Sequence, residues 1–346
     1  MMTSKLTKTG YDLKDVTIVQ APKSDWNHRG DVNPFTEICG RKVYPIIVSP
    51  MASVTDETNY KKWIEAGFIP VIPRSVQANG VSWEKRMELA TETFVSVSLK
   101  EAELLYDLDF EHDERTRYIC IDIANGVLDM LYSVCRILKN TFGNKIVIMT
   151  GNIACPEAIL HYLDIGIDYV RLSVGTGSRC TSGANVGVYY PSATLIDETR
   201  QIRDKWEFEH GMIGEGTKII MDGGIKNFDD IQKALALGAD AVMSGNIFAR
   251  AEEACGEIIF CDNKLFRNYF GMSCKEAQKI TGGEGNKTAE GISKPVPIEY
   301  PIKKWADNME AYLRSAMTYT NSGTLEEFRE NTDVIILGGG DGAYRK

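Results

Sequence analysis

Short apolar segments rich in β-branched residues recur along the chain, and a more polar stretch follows each of them. Unbroken apolar runs of this kind are typical of parallel strands that are buried on both faces. The pattern predicts eight strands, at residues 44–51, 68–74, 93–99, 118–126, 145–153, 169–177, 218–225 and 241–249.

Helix-like stretches separate most of these strands, at residues 59–66, 83–91, 128–140, 156–163 and 228–237. Gly67, Gly166 and Gly238 follow three of the stretches, at the position where glycine commonly ends a helix. Alternation of strands and helices predicts βαβ units, and eight units favour a closed (β/α)8 TIM barrel over a doubly wound open sheet.

The length of 346 residues fits one such barrel, because TIM barrels span roughly 200 to over 400 residues. We therefore predict a single domain over residues 1–346. It has an N-terminal extension at about 1–40, a flap after strand 8 at about 272–299 and a flexible C-terminal tail at about 332–346.

Composition narrows the classes of protein that fit. The net charge of −9 argues against a nucleic-acid partner, although backbone N–H groups can still hold a small anionic ligand. No apolar run approaches the ~18 residues of a membrane span, and the first residues lack the apolar segment of a signal peptide. The eight cysteines include no CxxC pair, which fits reduced thiols. We expect a cytoplasmic protein that does not bind membranes.

Cys180 is the sharpest chemical feature. It follows the sixth predicted strand within Val-Gly-Thr-Gly-Ser-Arg-Cys-Thr-Ser, and in a barrel the chemistry lies at the carboxyl ends of the strands. A cysteine beside Arg179 in such a loop can have a lowered pKa and act as a nucleophile. The alternative is a small, half-buried apolar side chain.

Other strand ends carry polar residues and glycines. Met-Asp-Gly-Gly-Ile at 221–225 offers Asp222 to ribose hydroxyls and two glycine N–H groups to a phosphate, and Ser-Gly-Asn at 244–246 offers similar contacts. Each could also be a plain turn between a strand and a helix. Asp-Ile-Ala-Asn-Gly at 122–126 adds a carboxylate and an amide, for which helix capping is the alternative role.

These motifs together resemble the IMP dehydrogenase/GMP reductase family. Ser-Pro-Met-Ala-Ser-Val-Thr at 49–55, Thr-Gly-Asn-Ile at 150–153 and Tyr-Phe-Gly-Met-Ser at 269–273 add to the match in the expected order. The likeness extends from about residue 14 to residue 319. Any one motif is weak, but seven in order on one scaffold are specific.

The resemblance implies an oxidoreductase whose catalytic residues are Cys180, Ser182 and Glu290. In such an enzyme the cysteine attacks C2 of a purine nucleotide and forms a covalent thioimidate. The implied substrate-binding residues are Met51, Asp222, Gly223, Gly224, Gly245, Asn246, Gly271, Met272, Ser273, Lys287 and Gly291. The implied cofactor-binding residues are Arg74, Asp122, Ala124, Asn125, Ser315 and Tyr319, and Gly175 and Gly177 match carbonyl groups that bind a monovalent cation.

Several features resemble the reductase branch of the family. The chain has no CBS insert after the second predicted strand, and the flap lacks the arginine–tyrosine pair with which the dehydrogenases activate water. The only such pair, Arg117–Tyr118, opens a predicted strand. The resemblance thus implies NADPH-dependent reductive deamination of GMP to IMP and ammonia, with a bound K⁺ and a homotetrameric assembly. The alternatives are an IMP dehydrogenase without CBS domains and an inactive paralogue that binds purine nucleotides.

The chain departs from the family pattern at four places. Ala52 replaces an aspartate that both branches usually carry, and Ser192 replaces a glutamine after Tyr-Pro. Ser182 replaces a threonine but keeps the hydroxyl, and Gly183 stands where an arginine is common. These positions bear on the choice of substrate.

Overall fold

A computed structural model of the chain describes residues 8–74, 81–107, 113–176, 185–271, 274 and 291–338. Three short strands precede the main body: β1 (Val16–Ile18), β2 (Thr36–Ile38) and β3 (Arg41–Val43). Strands β2 and β3 form an antiparallel hairpin, whereas β1 pairs with the last strand of the chain.

The main body is a closed barrel of eight parallel strands. Each strand pairs with the next along the chain, and the last barrel strand returns to the first. The strands are β4 (Ile46–Val48), β5 (Ile69–Ile72), β6 (Phe94–Val97), β7 (Arg117–Ile121), β8 (Ile146–Ile153), β9 (Tyr169–Leu172), β10 (Lys218–Asp222) and β11 (Ala241–Ser244). The predicted (β/α)8 barrel is confirmed.

Helices follow the barrel strands and cover the outside. They are α1 (Tyr60–Glu65), α2 (Trp83–Leu89), α3 (Leu99–Glu103), α4 (Asp129–Phe142), α5 (Ile159–Ile165), α6 (Ser192–His210), α7 (Phe228–Ala236) and α8 (Asn246–Ala249). The eighth predicted strand was too long, because its last residues form α8. None of the helices in the described ranges is long and apolar enough to cross a membrane.

One end of the barrel is closed by the hairpin β2–β3. Ile38 and Val43 of this hairpin are buried in the same apolar cluster as Ile47, Ile69 and other inward-facing residues of the barrel strands. The hairpin lies directly before β4, so it covers the amino ends of the strands. The carboxyl ends form the opposite face, where TIM barrels carry their active sites.

After the barrel come a three-stranded antiparallel sheet, two helices and a final strand. These are β12 (Ile258–Cys261), β13 (Lys264–Phe270), β14 (Ser293–Pro297), α9 (Ile302–Tyr319), α10 (Leu325–Asn331) and β15 (Val334–Ile336). Strand β14 lies within the predicted flap, and β15 lies within the range predicted as a tail. The apolar run of β15 pairs with β1, and β14 pairs with β13.

Candidate active site

The carboxyl ends of the barrel strands bring several of the predicted residues to one face. Met51 follows β4, Arg74 follows β5, Asp122 follows β7, Asp222 ends β10 and Gly245 follows β11. Residues that are up to 194 positions apart in the sequence thus lie around one mouth. The barrel topology alone accounts for this grouping.

A buried arginine holds two of these side chains together. Arg171 lies within β9, and its side chain is only 3% exposed. One of its terminal nitrogens donates to Asp122 Oδ1 over 2.8 Å, and the other lies 3.5 Å from Asp222 Oδ2. Arg74 Nε lies 3.6 Å from Asp122 Oδ2. No motif of the sequence points to Arg171, although a charged residue inside an apolar strand is a signal for a role.

A second residue without a predicted role completes this cluster. Asn152, from the Thr-Gly-Asn-Ile motif of β8, donates through Nδ2 to Asp222 Oδ2 over 2.9 Å. We call Arg74, Asp122, Asn152, Arg171 and Asp222 the mouth cluster. It links the carboxyl ends of β5, β7, β8, β9 and β10.

The two carboxylates of the mouth cluster have different electrostatic surroundings. Burial raises the pKa of Asp222 above its ordinary value, although Arg171 opposes the change. Burial also acts to raise the pKa of Asp122, but the charges of Arg171 and Arg74 outweigh it and hold the pKa below its ordinary value. The surroundings thus stabilise the ionised form of Asp122. They stabilise that of Asp222 less well, so additional hydrogen-bond donors would be more favourable at Asp222.

The two glycines after Asp222 differ in what they can offer a ligand. Both have positive φ angles, of 88° at Gly223 and 75° at Gly224, which favour glycine. The N–H of Gly223 already donates to the Met243 carbonyl over 3.2 Å. The barrel ladder thus uses the Gly223 donor, and a phosphate contact from the two N–H groups stays a prediction. Gly224 is left as the candidate.

Gly245 lies in close contact with two side chains. A Cβ atom at this position would lie 2.4 Å from Met51 Sδ and 2.6 Å from Tyr269 Oη, so any side chain here would displace these two residues. The Tyr269 hydroxyl lies 3.4 Å from the same sulfur. The next residue, Asn246, begins the short helix α8. Met51 and Gly245 thus lie side by side, and their contacts with a substrate stay a prediction.

The described residues of the predicted base pocket join the same region. The N–H of Gly271 donates to the carbonyl of Ile292 over 3.4 Å, which places Gly271 beside Gly291 at the paired ends of β13 and β14. The neighbouring Phe270 N–H donates to Ser53 Oγ over 3.3 Å. Ser53 belongs to the segment after β4, so the sheet is attached to the loop that carries Met51.

The predicted cofactor residues are more dispersed. Ala124 and Asn125 are exposed at the mouth, where Asn125 Oδ1 accepts the N–H of Val127 over 3.2 Å, a local turn contact. Ser315 and Tyr319 lie on α9, where the Ser315 hydroxyl donates to the Ala311 carbonyl. Their role toward a cofactor stays a prediction.

The loop that carries Cys180, which we call the nucleophile loop, is described only on either side of residues 177–184. Gly175 lies beside Thr176, whose hydroxyl donates to the Asp222 carbonyl over 3.3 Å. Several predicted residues lie outside the described residues: Gly177, Cys180, Ser182, Gly183, Met272, Ser273, Lys287 and Glu290.

Three other positions from the sequence analysis have clear surroundings. Ala52 packs with Phe270 and Cys274, and Arg117 opens β7 in an ion pair with Asp113. The Ser192 hydroxyl accepts the N–H of Leu13 over 3.2 Å at the start of α6.

A closed parallel barrel with glycine turns and paired carboxylates at its mouth defines a TIM-barrel protein with a candidate active site at that end. The family model for the IMP dehydrogenase / GMP reductase domain matches residues 15–339. The chain belongs to this family.

Similar proteins carry the name of one branch of the family. A protein named GMP reductase from Vibrio cholerae serotype O1 is 31% identical over 297 residues, which is 84% of this chain and 83% of that protein. GMP reductase from Photobacterium profundum is 34% identical over 220 residues, or 63% of this chain and 60% of that protein. GMP reductase from Buchnera aphidicola is 33% identical over 228 residues, or 65% and 62%.

Proposed function

We propose that this protein is a GMP reductase, which converts GMP to IMP and ammonia at the expense of NADPH. The observation that carries the proposal is the grouping of Asp222, Gly224, Gly245 and Met51 at the mouth, where they follow three neighbouring strands. The similar proteins named GMP reductase support the choice of branch.

The described residues account for binding of the nucleotide. Asp222 is a hydrogen-bond acceptor whose burial makes donors from ribose hydroxyls favourable. Gly224 and Gly245 present backbone without a side chain, and oxygens of a phosphate accept hydrogen bonds from such N–H groups. Met51 supplies an apolar, polarisable contact for the purine ring. Arg171 and Asn152 fix the orientation of Asp222.

The chemical steps rest on residues that the resemblance assigns. The Cys180 thiolate adds to C2 of GMP, and a proton from the Glu290–Ser182 pair lets the 2-amino group leave as ammonia. The resulting thioimidate then accepts a hydride at C2. The carbon–sulfur bond breaks, IMP is released and the thiolate is restored.

Arg74 and Asp122 are polar side chains suited to the polar nicotinamide end of NADPH. NADPH supplies the hydride when bound. Arg74 and Asp122 would hold its nicotinamide end, and the buried Arg74 Nε has no hydrogen-bond partner among the described residues. We further propose a K⁺ ion held by the carbonyls of Gly175 and Gly177, a homotetramer and a cytoplasmic location, all from the resemblance.

The direct test is turnover followed by the absorbance of the reduced nicotinamide. GMP with NADPH should be consumed, and Cys180→Ala should lose essentially all turnover while it still binds GMP. Cys261→Ala, which removes an exposed cysteine of β12, is the matched control and should keep full activity. Retention of about a tenth or more of the wild-type rate by Cys180→Ala would contradict covalent catalysis.

The same assay distinguishes the two branches of the family. IMP with NAD should form XMP slowly or not at all, because water activation is absent from the proposed steps. Glu290→Gln should slow ammonia release far more than it weakens GMP binding, since general acid help is worth about 10²–10⁴-fold. Rapid formation of XMP would assign the protein to the dehydrogenase branch and would leave the barrel unchanged.

A further inference from the structure

The start of helix α6 is completed by a segment that lies about 180 residues earlier in the chain. This helix of 19 residues begins at Ser192, and its N-cap residue, Pro191, offers no side-chain cap. The first N–H groups of a helix have no partner within the helix and need acceptors from elsewhere. Here the segment at residues 8–13, which we call the N-terminal strap, supplies them.

The acceptors are arranged in order along the strap. Asp12 Oδ1 accepts the N–H of Ser192 over 3.0 Å, and the Tyr11 carbonyl accepts the N–H groups of Ala193 and Thr194 over 3.0 and 3.1 Å. The fourth N–H, that of Leu195, is bound by the Pro191 carbonyl over 2.9 Å. The strap therefore satisfies all three N–H groups of the first turn that lack a partner within the helix.

Side chains reinforce this attachment on both sides of Ser192. The Tyr189 hydroxyl donates to the same Asp12 oxygen, and the Ser192 hydroxyl donates to it over 3.2 Å. Further along, Glu198 accepts hydrogen bonds from Lys8 Nζ over 2.7 Å and from the Tyr190 hydroxyl over 2.5 Å.

The fit of the strap against the chain is also steric. A Cβ atom at Gly10 would lie 2.6 Å from Pro191 Cγ, so only glycine allows this approach. Ser192, which replaces the glutamine of the family pattern, contributes to this contact. Its hydroxyl accepts the Leu13 N–H and donates to Asp12.

The position of this contact relative to the nucleophile gives it a functional meaning. Tyr189 follows Cys180 by nine residues, so the strap holds the chain at the point where the nucleophile loop ends. The other end of the loop is held by Thr176, which bonds the Asp222 carbonyl. We propose that the N-terminal strap, through Asp12, positions the nucleophile loop for attack on the purine. This inference rests on the proposed role of Cys180.

Such a positioning residue should affect kcat rather than binding. Asp222, Gly224 and Gly245 hold the nucleotide from β10 and β11, and none of them belongs to α6 or the strap. A misplaced nucleophile costs rate steeply, because the reacting atoms must be held in a near-attack geometry. Loss of the strap contact therefore lowers kcat and leaves the affinity for GMP almost unchanged.

The test compares Asp12→Ala with the conservative variant Asp12→Asn. Asp12→Ala should lower kcat on the order of tenfold, with an unchanged GMP dissociation constant by calorimetry. Amide hydrogen exchange at residues 192–195 should become faster. Asp12→Asn keeps an acceptor oxygen at Oδ1, so it should restore most of the lost kcat.

The matched control is Thr324→Ala, which removes the side-chain N-cap of α10, a helix that begins far along the chain from the strap. Thr324→Ala should lower the melting temperature to an extent similar to that of Asp12→Ala, but it should leave kcat unchanged. An Asp12→Ala enzyme with faster exchange but full kcat would overturn the role of the strap and leave the proposed function intact. Absence of wild-type turnover of GMP would instead overturn the proposed function, and the role of the strap with it.

Discussion

Two clusters of charged side chains are buried in this barrel, the mouth cluster around Arg171 and a second cluster around Arg203 near the amino ends of the strands. Their central arginines are similarly buried, with side chains that are 3% and 9% exposed. Each arginine contacts more than one carboxylate. Burial and ion pairing therefore do not tell the two clusters apart.

In the Arg203 cluster the carboxylates also bind the backbone. Asp240 directly precedes β11, and its Oδ2 accepts the Ile219 N–H and a terminal Arg203 nitrogen, both over 2.7 Å. Glu207 accepts the N–H groups of Gly214 and Gly216 over 2.8 and 3.1 Å. These side chains connect α6, β10 and β11 to one another, which is a structural role.

In the mouth cluster the carboxylates of Asp122 and Asp222 contact side chains only, as far as the described residues show. Burial raises the pKa of Asp222 above its ordinary value, whereas Arg203 and other cations outweigh burial at Asp240 and lower its pKa. A buried carboxylate without backbone donors can still accept hydrogen bonds from a ligand. The identity of the partners, rather than the depth of burial, separates the mouth cluster, to which we assign ligand binding, from the Arg203 cluster.

The largest effect should follow from removal of the structural arginine. Arg203→Met removes from the buried Asp240 and Glu207 the cation that they share, and breaking a buried pair costs about 3–5 kcal/mol. Urea denaturation should report a loss of this size in the free energy of unfolding. Turnover per folded molecule should stay near that of the wild type. A large loss of kcat in the folded fraction would contradict a purely structural role.

The sequence predicted the parts of this comparison that depend on local pattern. The order of strands and helices placed Asp222, Gly245 and Met51 at one face before any contact was known, because a closed barrel brings all strand ends together. Asp222 and Gly224 were recognisable because a carboxylate and glycines follow an apolar strand.

Other contacts could not be read from local pattern. Arg171 stands between Val170 and Leu172 in a buried strand, and only the closed barrel shows which carboxylates it meets. Local pattern does not show that the Gly223 N–H is already bonded, because its acceptor, the Met243 carbonyl, lies on the next strand. The strap contact of Asp12 joins segments about 180 residues apart, so no periodicity of the sequence indicates it.

A smaller effect, and one on binding, should follow from Asp222→Asn. The variant removes the charged acceptor for ribose, and hydrogen bonds to a charged group are worth roughly 1.5–3 kcal/mol. The affinity for GMP, measured by calorimetry, should fall by this amount. Asp240→Asn is the matched control, and it should lower stability with an unchanged affinity. Equal GMP affinity in Asp222→Asn and the wild type would refute the ribose contact.

The smallest effect lies within the mouth cluster and concerns pH. Asp122 has a lowered pKa in the folded state, so its ionised form stabilises the fold above the unfolded pKa of about 3.9. That contribution is lost as the pH falls through the folded pKa. Asp222 has a raised pKa, so the folded state binds its proton more tightly than the unfolded state. Its contribution is present at low pH and is lost as the pH rises through the folded pKa.

Asp122→Asn and Asp222→Asn should therefore change the pH dependence of stability in opposite directions. The unfolding free energy of Asp122→Asn, relative to the wild type, should be negative and constant near neutral pH and should approach zero as the pH falls from about 3.9 toward the lowered folded pKa. That of Asp222→Asn should instead rise relative to the wild type as the pH increases from about 3.9 toward the raised folded pKa. Urea denaturation at a series of pH values between about 3 and 7 measures both difference curves. Curves of the same slope would mean that Arg171 serves the two carboxylates alike, and the distinction between a satisfied Asp122 and an unsatisfied Asp222 would fail.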